Sequence, residues 1–266
     1  MNKIYNFSFI GCGNMGGALA VAAAKGNPDM AIAVCDALPE KAEALALQYD
    51  NVSVASMAEI AQKSEYVFLG VKPQMLEALF KELAPLLPDD VTLISMAAGT
   101  TIAKIEALAG KALPVIRIMP NIPVCVGKGV ILYAANDRVE AEALSFFVSA
   151  MSGAGLLDTL PEEKIDAASK ISGCGPAFAY MFIEALADGG VACGLPRDKA
   201  QTYAAAMLAG SAEHVLLSGN HPGALKDAVC SPGGTTIAGV RALEEKSFRA
   251  AAMDAVIEAY EKTLKL

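Results

Sequence analysis

Phe9-Ile10-Gly11-Cys12-Gly13-Asn14-Met15-Gly16 is the stretch that decides the fold. It sets a GxGxxG turn directly after a run, Ile4 to Ile10, in which Phe7 and Phe9 alternate with Asn6 and Ser8. A helical run, Ala18 to Lys25, follows it. In such a turn Gly11 permits the tight bend, Gly13 lets a pyrophosphate approach the backbone, and Gly16 lets helix and strand pack closely. The helix start supplies free amides and the positive end of its dipole to the anion. A second β-like run, Ala31 to Cys35, ends on Asp36, where a carboxylate accepts hydrogen bonds from an adenosine ribose and repels a 2′-phosphate. Strand, turn, helix, strand and acid in that order read as a dinucleotide-binding unit; a bare glycine turn and a helix-end charge are the plainer alternatives.

The same alternation continues outward to about residue 160. Short apolar runs lie near Val52 and at Tyr66 to Val71, Val91 to Ser95, Val115 to Met119, Gly129 to Ala134 and Gly155 to Leu160, and helical runs open at Pro39 and extend over Pro73 to Leu87, Thr101 to Leu108 and Val139 to Ala150. That order predicts α/β architecture, a Rossmann-type doubly wound parallel sheet over residues 1–160. From Pro161 the period changes to that of helices: Glu162 to Ile171, Ala177 to Cys193, Arg197 to Leu217 and Thr236 to Leu264. Gly173, Gly175 and Pro176 should interrupt the first of these, because proline lacks an amide and crowds the preceding turn. An all-α domain over residues 161–266 is expected.

Composition narrows the function classes. Of 266 residues 54% are apolar, yet no run reaches the ~18 consecutive apolar residues a spanning helix needs, which argues against a membrane protein. A formal charge of −8 without a Lys/Arg cluster argues against a nucleic-acid surface. The uncharged run from Ile4 to Ala24 is too broken by glycine and asparagine for a signal sequence. Cys12, Cys35, Cys125, Cys174, Cys193 and Cys230 form no CxxC pair and no Cys/His cluster. Reduced thiols, a cytoplasmic location and no metal site are the expectation.

In a doubly wound sheet the ligand crevice lies beyond the carboxyl ends of the strands. Val71-Lys72-Pro73 sits there, with Lys72 able to reach cofactor phosphates or ribose. So does the small-residue turn Ala97-Ala98-Gly99, against which a nicotinamide ring can lie. Pro120 and Asn121 end another strand, the amide placed to orient a carboxamide or a substrate. Each has a plainer reading as a solvated lysine, a tight connection or a strand stop. Farther on, Ser231-Pro232-Gly233-Gly234-Thr235-Thr236 precedes a helix and gathers hydroxyls with free amides, a neutral nest for a small carboxylate.

These residues resemble the pyrroline-5-carboxylate reductase family along nearly the whole chain: GCGNMG, VKPQ (Val71 to Gln74), SMAAGT, RIMPNIP, SGCGPAFAYMFIEALADGGV (Ser172 to Val191) and SPGGTTIAG (Ser231 to Gly239). The resemblance implies hydride transfer from NADPH or NADH to the ring C=N of L-1-pyrroline-5-carboxylate, giving L-proline. It implies that Gly11, Cys12, Gly13, Asn14, Met15, Gly16, Asp36, Val71, Lys72, Pro73, Ala97, Ala98, Gly99 and Pro120 contact the cofactor. Ser231, Gly233, Gly234, Thr235 and Asn121 would bind the substrate, and Thr236 would sit by the ring nitrogen and assist its protonation. His214 and His221 read as ordinary polar residues. Asp36 departs from the small polar residue that NADPH-preferring members often carry, so the cofactor choice stays open. A β-hydroxyacid-dehydrogenase-like enzyme shares the two-part layout but wants a lysine on the first long helix of its second domain, where none follows Lys170 until Lys199. A non-catalytic dinucleotide sensor would keep GCGNMG without needing the Ser231–Thr236 nest. The alanine-rich apolar runs Ala177 to Leu195 and Tyr203 to Ala212 exceed what about a hundred residues can bury, so a homo-oligomer built from dimers is expected.

Overall fold

The computed structural model describes residues 3–265. Its packing divides into two units: the chain through Gly173 together with the last residues from Thr263, and Cys174–Lys262.

In the first unit the order is β1 (Tyr5–Ile10), α1 (Asn14–Gly26), β2 (Ile32–Cys35), α2 (Pro39–Ala46), β3 (Val52–Val54), α3 (Met57–Lys63), β4 (Ser64–Leu69), α4 (Leu76–Leu83), β5 (Thr92–Ser95), α5 (Ile102–Ala109) and β6 (Val115–Met119). There follow β7 (Gly129–Ala135), α6 (Ala141–Met151), β8 (Gly155–Thr159) and α7 (Glu162–Ser172). One eight-stranded sheet runs β3-β2-β1-β4-β5-β6-β7-β8. Strand β1 pairs in parallel with both β2 and β4, with Ile10 level with Cys35 and Leu69, so the topological switch point lies at the end of β1.

The sheet is the doubly wound, mostly parallel one expected, with one reversal. It is parallel only as far as β6; β7 runs antiparallel to β6, and β8 parallel to β7. The connection from Met119 to Gly129 carries only a short 3₁₀ turn, Ile122–Val126, and a parallel return needs a crossover of a dozen or more residues. Beyond Asn6, strand β1 is buried on both faces. On one face Phe9 stacks on Phe68 and Phe7 meets that ring edge-on, and on the other Ser8 is fully buried, its hydroxyl 2.6 Å from that of Ser64. Helices cover both faces, and the two buried hydroxyls partner each other.

Helix α3 was not anticipated, although Ser56 and Glu59 carry a full capping box: the Glu59 amide donates to Ser56 Oγ at 3.2 Å and the Glu59 carboxylate accepts from the Ser56 amide at 3.4 Å. Helix α7 packs with the sheet through buried Ile165, so the expected boundary at 160/161 falls one helix ahead of the break in the packing.

The second unit contains α8 (Gly175–Ala192), α9 (Arg197–Ser218), α10 (Pro222–Ala228), α11 (Thr235–Glu245) and α12 (Phe248–Thr263). The break expected at Gly173–Pro176 is present between α7 and α8. The single helix expected from Thr236 to Leu264 is two, because Ser247 adopts φ +58°, a left-handed conformation that an α-helix cannot continue through. Among its described residues only Ala187, Ala200 and Ala204 are buried, while Tyr180, Met181, Leu216 and Leu217 stand exposed.

Candidate active site

The turn between β1 and α1 is built from backbone contacts that only glycine allows. Gly11 has φ +102°, and a Cβ on it would meet the Gly70 carbonyl oxygen at 2.5 Å. A Cβ on Gly16 would lie 2.0 Å from the Gly11 oxygen, and one on Gly70 2.4 Å from that same oxygen. These three glycines press the ends of β1 and β4 and the start of α1 together. Gly70 was not singled out from the sequence, though a glycine directly after a compact strand is a signal of close backbone approach.

Gly13 is different. Its φ of −68° is open to any residue, and a Cβ there would meet nothing within 4 Å. Neither strain nor internal packing requires this glycine, and what its missing side chain leaves free is the space before the first turn of α1. No side chain caps that turn and no acid stands in it, so its amides and positive dipole end face outward. The cradle fits a dinucleotide pyrophosphate.

Asp36 sits beside the same turn. Its Oδ2 accepts the Cys12 N–H at 2.6 Å and its Oδ1 the Leu38 N–H at 2.9 Å. The Cys12 thiol lies 3.5 Å from the Cys35 carbonyl oxygen. Burial, then the Asp36 charge, pushes the Cys12 thiol up to about 12 and the Cys35 thiol up to about 11. Both stay neutral at physiological pH and add no charge against a phosphate.

The other strand ends present what the sequence marked. Val71 is half-buried and Lys72 exposed, and Pro73 opens a 3₁₀ turn, where its missing amide costs nothing. After β5, Ala97 is buried, Ala98 and Gly99 are exposed, and Gly99 turns the chain at φ +67°. Pro120 and Asn121 are buried at the end of β6. The Asn121 side chain is engaged within the protein: Oδ1 accepts the Val130 N–H and Nδ2 donates to the Ser172 carbonyl, both at 2.8 Å. The amide thus ties the end of β6 to β7 and to the end of α7, and each of its two polar atoms keeps one further hydrogen-bond position.

Arg117, the first residue of the RIMPNIP run, lies on β6. It is 2% exposed; Nη2 donates to Asp166 at 2.7 Å and Nη1 to Glu162 at 3.4 Å, and Nε has no partner. Glu162 also accepts the Ile102 N–H at 2.7 Å, so one carboxylate joins α5, β6 and α7. A cavity of about 490 Å³ beside it is lined by Ile102, Glu106, Asn136 and Glu162 and includes none of the glycine-turn residues. Its carboxylates are taken up within the protein, Glu106 by Asn136 and Arg138.

In the second unit Ser231-Pro232-Gly233-Gly234 leads into α11. Gly233 turns at φ +69°, and a Cβ on Gly234 would meet Ser231 Oγ at 2.4 Å, so both glycines have a local reason. Gly234 is the N-cap and gives no side-chain bond, which leaves the first amides of α11 uncapped, beside the exposed Thr235 and Thr236. Among the described residues no cluster of His, Cys, Asp and Glu could hold a metal, and no helix is long and apolar enough to cross a membrane.

Residues 162–266 match the family described as pyrroline-5-carboxylate reductase dimerisation, and residues 6–99 the family described as NADP oxidoreductase, coenzyme F420-dependent. The Escherichia coli (strain K12) pyrroline-5-carboxylate reductase is 40% identical over 261 residues, 97% of each chain. The solved pyrroline-5-carboxylate reductase of Coxiella burnetii superposes with a TM-score of 0.90 at 29% identity, over 98% of each chain. The Plasmodium falciparum pyrroline carboxylate reductase, solved with NADP bound, gives 0.85 at 30% identity over 99% of this chain and 98% of its own.

Proposed function

The chain belongs to the pyrroline-5-carboxylate reductase family, and from that premise we propose which residues carry its reaction. The protein reduces L-1-pyrroline-5-carboxylate to L-proline with NAD(P)H, the last step of proline biosynthesis. When bound, the reduced nicotinamide supplies the hydride that adds to the ring C=N.

The N-terminal domain, residues 1–160 as read from the sequence, takes the dinucleotide. The amides of the Gly11–Gly16 turn and the start of α1 hold the pyrophosphate across the open face of Gly13. Asp36 holds the adenosine ribose, Val71-Lys72-Pro73 borders the ribose and phosphates, and Ala97-Ala98-Gly99 with Pro120 admits the nicotinamide ring.

The helical domain, residues 161–266, binds substrate and dimerises. The observation that carries the substrate assignment is the uncapped start of α11. Gly233, Gly234 and Thr235, with Ser231, bind the carboxylate there through amides and hydroxyls. The Thr236 hydroxyl sits by the ring nitrogen and assists its protonation. A protonated cyclic imine is already electrophilic, so orientation supplies most of the catalysis and no strong general acid is needed. Helix α8 carries no lysine, which disfavours the β-hydroxyacid-dehydrogenase chemistry. A homodimer as building block and a cytoplasmic location complete the reading, supported by the match of 162–266 to a dimerisation family and by six free cysteines.

The test follows reduced-nicotinamide absorbance with pyrroline-5-carboxylate as substrate. Turnover is expected, and Thr236→Ala should lower kcat about tenfold, the value of one lost hydrogen bond, with cofactor affinity kept. Equal turnover by the variant would remove Thr236 from the reaction.

A further inference from the structure

The carboxylate of Asp36 is fixed rather than free. Each oxygen accepts one backbone amide, Oδ2 from Cys12 at 2.6 Å and Oδ1 from Leu38 at 2.9 Å. A carboxylate has about four acceptor positions, so one on each oxygen remains unused. One of the two anchors, Cys12, lies inside the glycine turn. The ribose covalently next to the pyrophosphate therefore meets a carboxylate whose distance from the phosphate cradle is set by that hydrogen bond. Two vicinal hydroxyls match its two remaining acceptor positions.

A 2′-phosphate would meet the opposite chemistry. The two amides that would have donated to it, Cys12 and Leu38, already serve Asp36. Ala37, Leu38 and Pro39 offer no side-chain donor, and Pro39 has no amide at the start of α2. Glu40 adds a carboxylate to the first turn of that helix. Lys41 is the sole cation between Asp36 and the end of α2, against Asp36, Glu40 and Glu43. The field of Asp36 is felt inside the turn, where it contributes to holding the Cys12 and Cys35 thiols protonated.

Resting on the reductase reading, we infer that this chain selects NADH over NADPH, with Asp36 accepting the 2′- and 3′-hydroxyls of the adenosine ribose and excluding a 2′-phosphate. Titration calorimetry of the full chain with NAD⁺ and NADP⁺ tests it without catalysis, and initial rates with NADH and NADPH test it with catalysis. Wild type should bind NAD⁺ at least about tenfold more tightly, the scale of one mispaired buried polar contact. Asp36→Ser should shift that ratio about a hundredfold toward NADP⁺. Because Asp36 also anchors the glycine turn, Asp36→Asn serves as the second variant: it keeps the side-chain shape and one acceptor oxygen but removes the charge, and the ratio should still move toward NADP⁺. Equal or tighter NADP⁺ binding by wild type overturns the inference and leaves the reductase reading intact. So does a ratio unmoved in both variants. Binding of neither dinucleotide and no turnover with either cofactor overturns both.

Discussion

Four glycines near the end of β1 carry two different burdens, and the difference can be measured. Gly11, Gly16 and Gly70 lack side chains because backbone fills the space, whereas Gly13 faces nothing in the protein. Gly16→Ala should cost about 1–3 kcal/mol or more, since its methyl would have to displace the Gly11 carbonyl; the urea midpoint reads it. Gly13→Ala should keep or slightly raise stability, by up to about 1 kcal/mol, because its backbone suits alanine and the unfolded chain loses freedom. Its dinucleotide affinity should nevertheless fall at least tenfold. Unchanged affinity in a folded Gly13→Ala protein would remove the pyrophosphate from that cradle. The GxGxxG spacing made Gly11, Gly13 and Gly16 legible in advance. It did not make Gly70 legible, because this partner of Gly11 lies just past β4, about sixty residues on, where only the strand order brings it. Asn121 was legible as a rigid amide at a strand end, but its partners, Val130 and Ser172, are set by folding.

At the scale of elements, most helices and strands follow from local pattern, and the exceptions have local causes too. Helix α3 announces itself through Ser56 and Glu59, and the split between α11 and α12 turns on one left-handed serine. The direction of β7 follows from the short link after β6. What attaches α7 to the sheet is less visible: a buried arginine, Arg117, between Glu162 and Asp166. Asp166→Ala should lower stability by about 1–3 kcal/mol, because it strands a buried guanidinium on one long contact. Arg117→Met should cost less, since it leaves no charge in the interior. Paired urea denaturation curves compare them. A larger loss for Arg117→Met would show that the paired guanidinium, and not the apolar stem that methionine retains, holds α7.

On the scale of the whole molecule, the two units differ in what they bury. The sheet carries two clusters of aromatic and branched side chains beneath helices on both faces. The Cys174–Lys262 unit buries three alanines and leaves Met181, Leu216 and Leu217 more than two-thirds exposed. An apolar surface of that kind belongs to an interface. Sedimentation equilibrium at micromolar concentration should find a dimer or a multiple of it, and a monomer would overturn the expected association. By itself the sequence determined the order of the strands and of most helices, the glycine turn, the acid after β2 and the hydroxyl-glycine run before α11. It could do so because turn geometry, capping and apolar periodicity act over a few residues. Only the tertiary structure decided that Asp36 is pinned by Cys12 and Leu38, that Asn121 is held by Val130 and Ser172 and Arg117 by Asp166 and Glu162, that Ser8 is buried, and that the last two strands run opposite to the others. Those outcomes join residues far apart in the chain, and their energies exist only once the sheet has brought the partners within hydrogen-bond distance.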